Sequence, residues 1–244
     1  MPSLRAVLCI FRIHLARLRS EAGPFLLAAL IFPTVMYLFT SAVKGGEGDN
    51  PNRLRFLAGS IVFSLSLTAI SWLGYLLLEN RFTGRLKLFA TLPLAPSSYV
   101  FGILIFGILQ ATLGIGGLLF VARLLGIPTQ LDVLPLVAAA LSTMLCFCGI
   151  SVIIATLARS FSEGSLLTDS LGAGLVFLAP VYFPADAMPY ALRIVAECLP
   201  TTLAARAIEQ ALSGTFALRD VALLCGMAAL SLLIGFRLMR FREN

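Results

Sequence analysis

Residue types that do chemistry are scarce in this sequence, and their spacing assembles no catalytic set. Among 244 residues there is one histidine, His14. A serine nucleophile needs a base held against it, and inside a membrane that base has to face it from another helix. His14 lies in an arginine-rich N-terminal segment and reads as a polar-face residue there. The two lysines, Lys44 and Lys87, do not follow glycine, so the Gly-x-x-x-x-Gly-Lys-Ser/Thr loop that cradles nucleotide phosphates is missing. There is no His-Glu-x-x-His. The five cysteines, Cys9, Cys146, Cys148, Cys198 and Cys225, have neither disulfide-framework nor zinc-site spacing. Cys146 and Cys148 point to nearly opposite sides of any helix that holds them, and the set reads as small buried hydrophobes. The sequence thus predicts neither catalytic residues nor a metal site.

Polar residues inside apolar runs are the remaining candidates. Asp169 is the one ionisable residue within such a run, where it marks an ion path or a helix end. Gln110 falls mid-run, where an unpaired amide is costly, so it either bridges helices or faces a substrate path. Ser60, Ser64, Thr68 and Tyr75 recur at spacings of four, four and seven and form one polar stripe. Gly102, Gly107, Gly114 and Gly117 form a small-residue stripe. Both stripes suit helix packing, and Ser64, Thr68 and Gln110 are also possible pathway residues.

The elements that hold these residues are membrane helices. Of the sequence 59% is hydrophobic and 12% charged, with a mean hydropathy of +0.97. Ordinary soluble domains carry about 25% charge, so this chain needs lipid as its solvent. Runs of the length a crossing requires, about 20 residues, fall at 24–43, 56–78, 99–122, 134–158, 165–183 and 220–236. Before them, Leu4, Leu8, Phe11, Leu15 and Leu18 stack on one helical face, while Arg5, Arg12 and Arg19 share another. That pattern predicts an amphipathic helix over 1–22 at the membrane interface.

Charge gives the orientation. Eleven Lys and Arg residues flank the spans on the side of the two termini, and seven on the other side, where seven acidic residues offset them. The net +6 therefore sits on one side, which places both termini in the cytoplasm and makes nucleic-acid binding unnecessary as its explanation.

Two connections do not read as plain linkers, although a simple surface connector is the alternative for each. On the inner side, 79–98 mixes charge with Phe82, Leu86, Phe89 and Leu92 at helical spacing, which predicts a short amphipathic helix stopped by Pro93. On the outer side, 184–215 carries Pro184, Pro189 and Pro200 in an apolar background. It predicts two short helices broken at Pro200, a re-entrant-like segment fit to serve as an outer lid.

The order of these parts resembles an ABC exporter permease of the type-2 family. The inner-loop pattern of that family corresponds to Glu79, Gly84, Leu86 and the run Ala90-Thr91-Leu92-Pro93-Leu94. The outer pattern corresponds to Pro189 and Leu199-Pro200-Thr201-Thr202, with Cys198 where the family usually has asparagine. The resemblance covers nearly the whole chain as a single permease domain. It implies an all-α membrane protein with six transmembrane helices, an N-terminal interfacial helix and a cytoplasmic coupling helix. It further implies a bacterial inner-membrane location, a second permease chain, and cytoplasmic ABC ATPase subunits that hold the ATP and Mg. By analogy Glu79, Arg81, Gly84, Arg85, Leu86 and Pro93 couple to the ATPase, and Pro184, Pro189, Pro200 and Thr201 gate the outer side. An ion-coupled secondary transporter or a channel subunit is the alternative.

Overall fold

The computed structural model describes residues 4–20, 23, 26–44, 52–85, 96–127, 129–130, 132–182 and 188–238. These are all-helical. Helix α1 is Leu4–Ser20. Helix α2 joins a π-helical turn, Leu27–Ile31, to Phe32–Lys44. Pro33 lacks the N–H that would continue the α-helical ladder, and the Phe32 N–H reaches back five residues to the Leu27 carbonyl. Helix α3 runs through Asn52–Ser66, a π segment Leu67–Trp72, and Leu73–Phe82. Then follow α4 (Pro96–Leu124), α5 (Val133–Leu157), α6 (Phe161–Leu178), α7 (Tyr190–Glu197), α8 (Pro200–Leu212) and α9 (Leu218–Leu238).

Among the described residues four helical stretches are long and apolar enough to cross a membrane: Arg53–Phe82, Ser98–Leu124, Val133–Leu157 and Leu218–Leu238. Each falls on an expected span. Two further expected spans coincide with α2 and α6, which are not among those four. Helix α2 is close to the minimum length for a crossing, about 17 residues. Helix α6 carries Glu163 and Asp169, which dilute its apolar character.

Helix α3 is the axis of the bundle. Of its apolar window 78% is buried, against 22% for α9 at the periphery. Helices α3 and α6 run antiparallel and close along their length. A Cβ at Gly164 would stand 2.4 Å from Leu78, one at Gly74 2.5 Å from Thr168, and one at Gly172 2.7 Å from the Ser71 hydroxyl. The glycines of α4 act similarly: a Cβ at Gly102 would meet Ile10 at 2.7 Å, at Gly107 Leu73 at 2.9 Å, and at Gly117 Leu30 at 2.0 Å. The predicted small-residue stripe is therefore a packing surface that admits α1, α3 and α2 in turn.

Helix α1 corrects one expectation. Among its described side chains Val7, Ile10 and His14 are buried, seated against α4, while Leu8 and Leu15 of the predicted apolar stripe are exposed, as a stripe turned to lipid would be; the reading corrected is that of His14. His14 is 7% exposed, with its ring 5.8 Å from that of Phe106. It is a packed residue, not one on the polar face, because Gly102 lets α1 approach α4 on this side. Cys146 and Cys148 are buried as expected, but Cys9, Cys198 and Cys225 are exposed on the bundle surface.

Candidate functional site

At one end of the bundle α3 stops, α5 stops and α6 starts. Helix α3 extends past its expected end at 78, so Glu79 and Arg81 belong to its last turn and not to a separate loop helix. The Thr83 N–H and hydroxyl both donate to the Glu79 carbonyl, at 2.9 and 2.6 Å. Gly84 follows with φ +76°, the left-handed residue that ends a helix without strain, and nothing lies within 4 Å of where its Cβ would be. Gly84 thus sets the direction in which the chain leaves α3. Arg85 reaches back to Glu79 at 3.5 Å. Leu86 and Pro93, and with them most of the predicted amphipathic helix, lie outside the described residues.

Arg81 points the other way. Its Nη1 donates to the carbonyls of Ala155, Thr156 and Ala158 at 2.7, 2.9 and 2.9 Å. Those oxygens are among the acceptors that the C-terminus of α5 leaves unpaired, and the cation also faces the negative end of the helix dipole. Directly after, Ser160 accepts from the Glu163 N–H at 3.1 Å while the Glu163 carboxylate accepts from the Arg159 N–H at 2.9 Å. This capping box starts α6. A single guanidinium therefore ties the end of α3 to the α5–α6 turn. Sequence reading assigned Arg81 to ATPase coupling by analogy and missed its partners, since no local pattern shows which carbonyls lie across the bundle. The Ser160–Glu163 box was legible and would have started α6 at Phe161.

The opposite end gathers the other connections. Pro189 caps α7, and Pro200 occupies the first turn of α8, where its missing N–H costs nothing. Thr201 is fully buried and donates to the Leu175 carbonyl of α6 at 2.8 Å, and Thr202 donates to the Ala196 carbonyl. Arg55 pairs with Glu209 at 3.8 Å, Arg206 with Asp220 at 3.4 Å, and the Gln130 N–H donates to the Leu212 carbonyl at 3.1 Å. The residues flanking the first, third and fifth connections thus meet at one end, and the second and fourth connections lie at the other, as successive antiparallel helices require. Pro184 lies outside the described residues.

Between the ends, Ser64, Thr68 and Gln110 are all buried inside the bundle. Ser151 of α5 donates to the Ala69 carbonyl in the π segment of α3, and Ser66, just before that segment, donates to the Gly172 carbonyl of α6 at 2.7 Å. Both ends of the Gln110 amide lack a hydrogen-bond partner among the described residues. An apolar groove of about 360 Å³ between α4 and α5 is lined by Ile108, Ile115, Leu119, Val137 and Met144.

Comparison with known proteins decides the family. The family model described as ABC-2 type transporter matches residues 6–212, which takes in α1 through α8 and both ends just described. The chain belongs to the ABC-2 type transporter family. No curated protein matches it. As an ABC-2 membrane domain it is a multi-pass membrane protein of a transport-subunit family whose members pair with ATPase subunits. The resemblance drawn from Glu79, Gly84 and Leu199-Pro200-Thr201-Thr202 pointed to the same family.

Proposed function

We propose that this chain is the membrane-spanning permease subunit of an ATP-driven exporter in the bacterial cytoplasmic membrane. It forms a substrate path with a second permease chain, and separate cytoplasmic subunits hold and hydrolyse MgATP. Helices α2 and α6 complete six crossings with the four long apolar helices, and both termini are cytoplasmic by the lysine and arginine excess.

The observation that supports coupling is the position of Arg81. Its end of the bundle is the one that charge assigns to the cytoplasm, and its contacts reach three carbonyls of the α5–α6 turn. A push from a docked ATPase against the segment that begins at Gly84 would reach α3 directly and α5 and α6 through Arg81. Glu79 and Arg85 brace the same turn. At the other end Thr201 ties α8 to α6, so a displacement of α6 reaches the segment assigned as the outer gate.

The test is to purify tagged chain from its native host in mild detergent, identify the copurifying polypeptides and assay ATP hydrolysis. A copurifying soluble ATPase is the expected result, with Gly84 and Glu79 variants that still insert but lose transport-coupled hydrolysis. A chain that purifies without a nucleotide-binding partner would overturn the reading in favour of an ion-coupled carrier.

A further inference from the structure

Asp169 is the ninth residue of α6, which puts it about 12 Å along the helix from its start at Phe161. It lies between Thr168, which abuts Gly74, and Gly172, which abuts Ser71. Both contacts are with α3 inside its Arg53–Phe82 membrane stretch. The capping box starts α6 four residues before the expected span, so Asp169 stands about two turns from the helix start. Its side chain is exposed, and no ion pair is recorded for it among the described residues. A short carboxylate at this depth cannot reach the interface, and facing hydrocarbon it would be costly. Something other than lipid chains must meet it.

Its surroundings indicate what. Phe161, Ser165 and Asp169 stand four residues apart and form one row along α6. Beside that row runs the α3 row of Ser71 and Tyr75. The two rows touch where the Tyr75 and Phe161 rings meet edge to face, with centroids 5.2 Å apart. Tyr75 is 42% exposed. The Ser71 and Ser165 hydroxyls and the Trp72 indole N–H are buried with no hydrogen-bond partner among the described residues. The α3–α6 seam thus combines an exposed carboxylate, an exposed aromatic ring and the Ser71 and Ser165 hydroxyls, which have no partner among the described residues.

We propose that this seam is a recognition site for organic cations with an apolar body, with Asp169 holding the positive charge and Tyr75 contributing its ring face. A carboxylate and an aromatic ring both favour a cation, and the paired Tyr75 and Phe161 rings favour a lipophilic substituent over a hydrated metal ion. An anionic or neutral amphiphile of the same shape would leave Asp169 desolvated and unpaired. The proposal rests on the permease reading for its role in transport, but the site is a property of this chain.

Tetraphenylphosphonium and tetraphenylborate, near-identical in shape and opposite in charge, are the probes. Equilibrium dialysis of both against the purified complex in detergent measures binding directly, and ATPase stimulation in proteoliposomes measures coupling. The expected result is saturable binding of tetraphenylphosphonium that weakens about tenfold or more in Asp169→Asn and is largely kept in Asp169→Glu, with no such dependence for tetraphenylborate. Tyr75→Ala weakens it less, and Tyr75→Phe hardly at all. Equal binding of the two ions, or wild-type cation binding in Asp169→Asn, would overturn the proposal. So would loss of the second permease chain from Asp169→Asn, since Asp169 would then serve an interface between chains. If no ATPase copurifies, the permease reading fails, and dialysis still decides the site.

Discussion

Replacing Arg81 with alanine removes a side chain that reaches from the end of α3 to the α5 terminus. Its Nη1 lies 2.7–2.9 Å from three carbonyl oxygens. That nitrogen has two hydrogens, so two strong bonds is the ceiling. Hydrogen bonds to a charged donor are worth about 1.5–3 kcal/mol each net when buried. Arg81 is half-buried, so water recovers part of the loss, and about 2–3 kcal/mol is the reasonable total, including the favourable placement at the α5 C-terminus. At about 2–4 °C per kcal/mol for a chain of this size, the melting midpoint in detergent should fall by about 5–10 °C. Arg81→Lys keeps the charge at the helix end but loses the planar fork, and should recover about half. Arg81→Gln keeps two hydrogens without the charge, which separates the geometric from the electrostatic share. The assay is tryptophan or dye-reported melting of the three variants in one detergent, followed by transport-coupled ATPase activity. If Arg81→Ala melts within about 2 °C of the parent and stays fully coupled, the bridge between α3 and the α5–α6 turn contributes nothing and the coupling argument fails with it.

Gly84→Ala places a side chain at φ +76° in open space, so the cost is backbone strain alone, about 1–2 kcal/mol; Gly84→Asn should cost less, and comparing their melting midpoints checks this. Gly149→Ala would bring a Cβ within 2.7 Å of Ser231 Cβ and 2.9 Å of the Leu232 nitrogen, forcing α5 and α9 apart at about 1–3 kcal/mol. Gly226→Ala on α9 meets nothing within 4 Å and should be neutral in the same melting assay. Thr201→Val loses the bond to the Leu175 carbonyl and strands a buried acceptor, which should lower stability by about 1–2 kcal/mol, read as a lower midpoint with unchanged yield in the membrane fraction.

What was legible in the sequence was whatever is local or follows from the solvent. Apolar runs located the long helices because a crossing fixes their length, and the alternation of those helices sorted the connections into two ends. Pro200 announced a helix start because its missing N–H is harmless only there. The pairing of faces was not legible. The leucine stripe of α1 drew attention because it was periodic, yet α1 packs through Val7, Ile10 and His14, since the partner surface is shaped by Gly102 on another helix. The π segment of α3 left no local mark: Leu67–Trp72 contains neither glycine nor proline. It is held by a hydroxyl far away in sequence, Ser151, on the freed carbonyls, and by the grip of the preceding Ser66 on Gly172 of a distant helix.

The position of that π segment bears on how the proposed coupling would work. A helix transmits a push as a rigid rod only while its ladder is regular, and a π turn is where the ladder has an extra residue and the least regular bonding. In α3 this turn lies between Arg81, held by the α5–α6 turn, and Arg55, which pairs with Glu209 at the far end. The Ser151 hydroxyl grips the turn from α5, and α6 lies against it through Gly172 and Ser71. On the permease reading, a push at the Gly84 end is therefore divided at mid-depth. The lower half of α3 moves with α5 and α6, and the upper half is steadied by α8. In the upper half α6 then shifts against α3, and Asp169, between Thr168 on Gly74 and Gly172 on Ser71, lies at the border of the two halves. An element that changes shape beside the carboxylate, and not one that moves it bodily, is what would let a single site hold a cation in one state and release it in another.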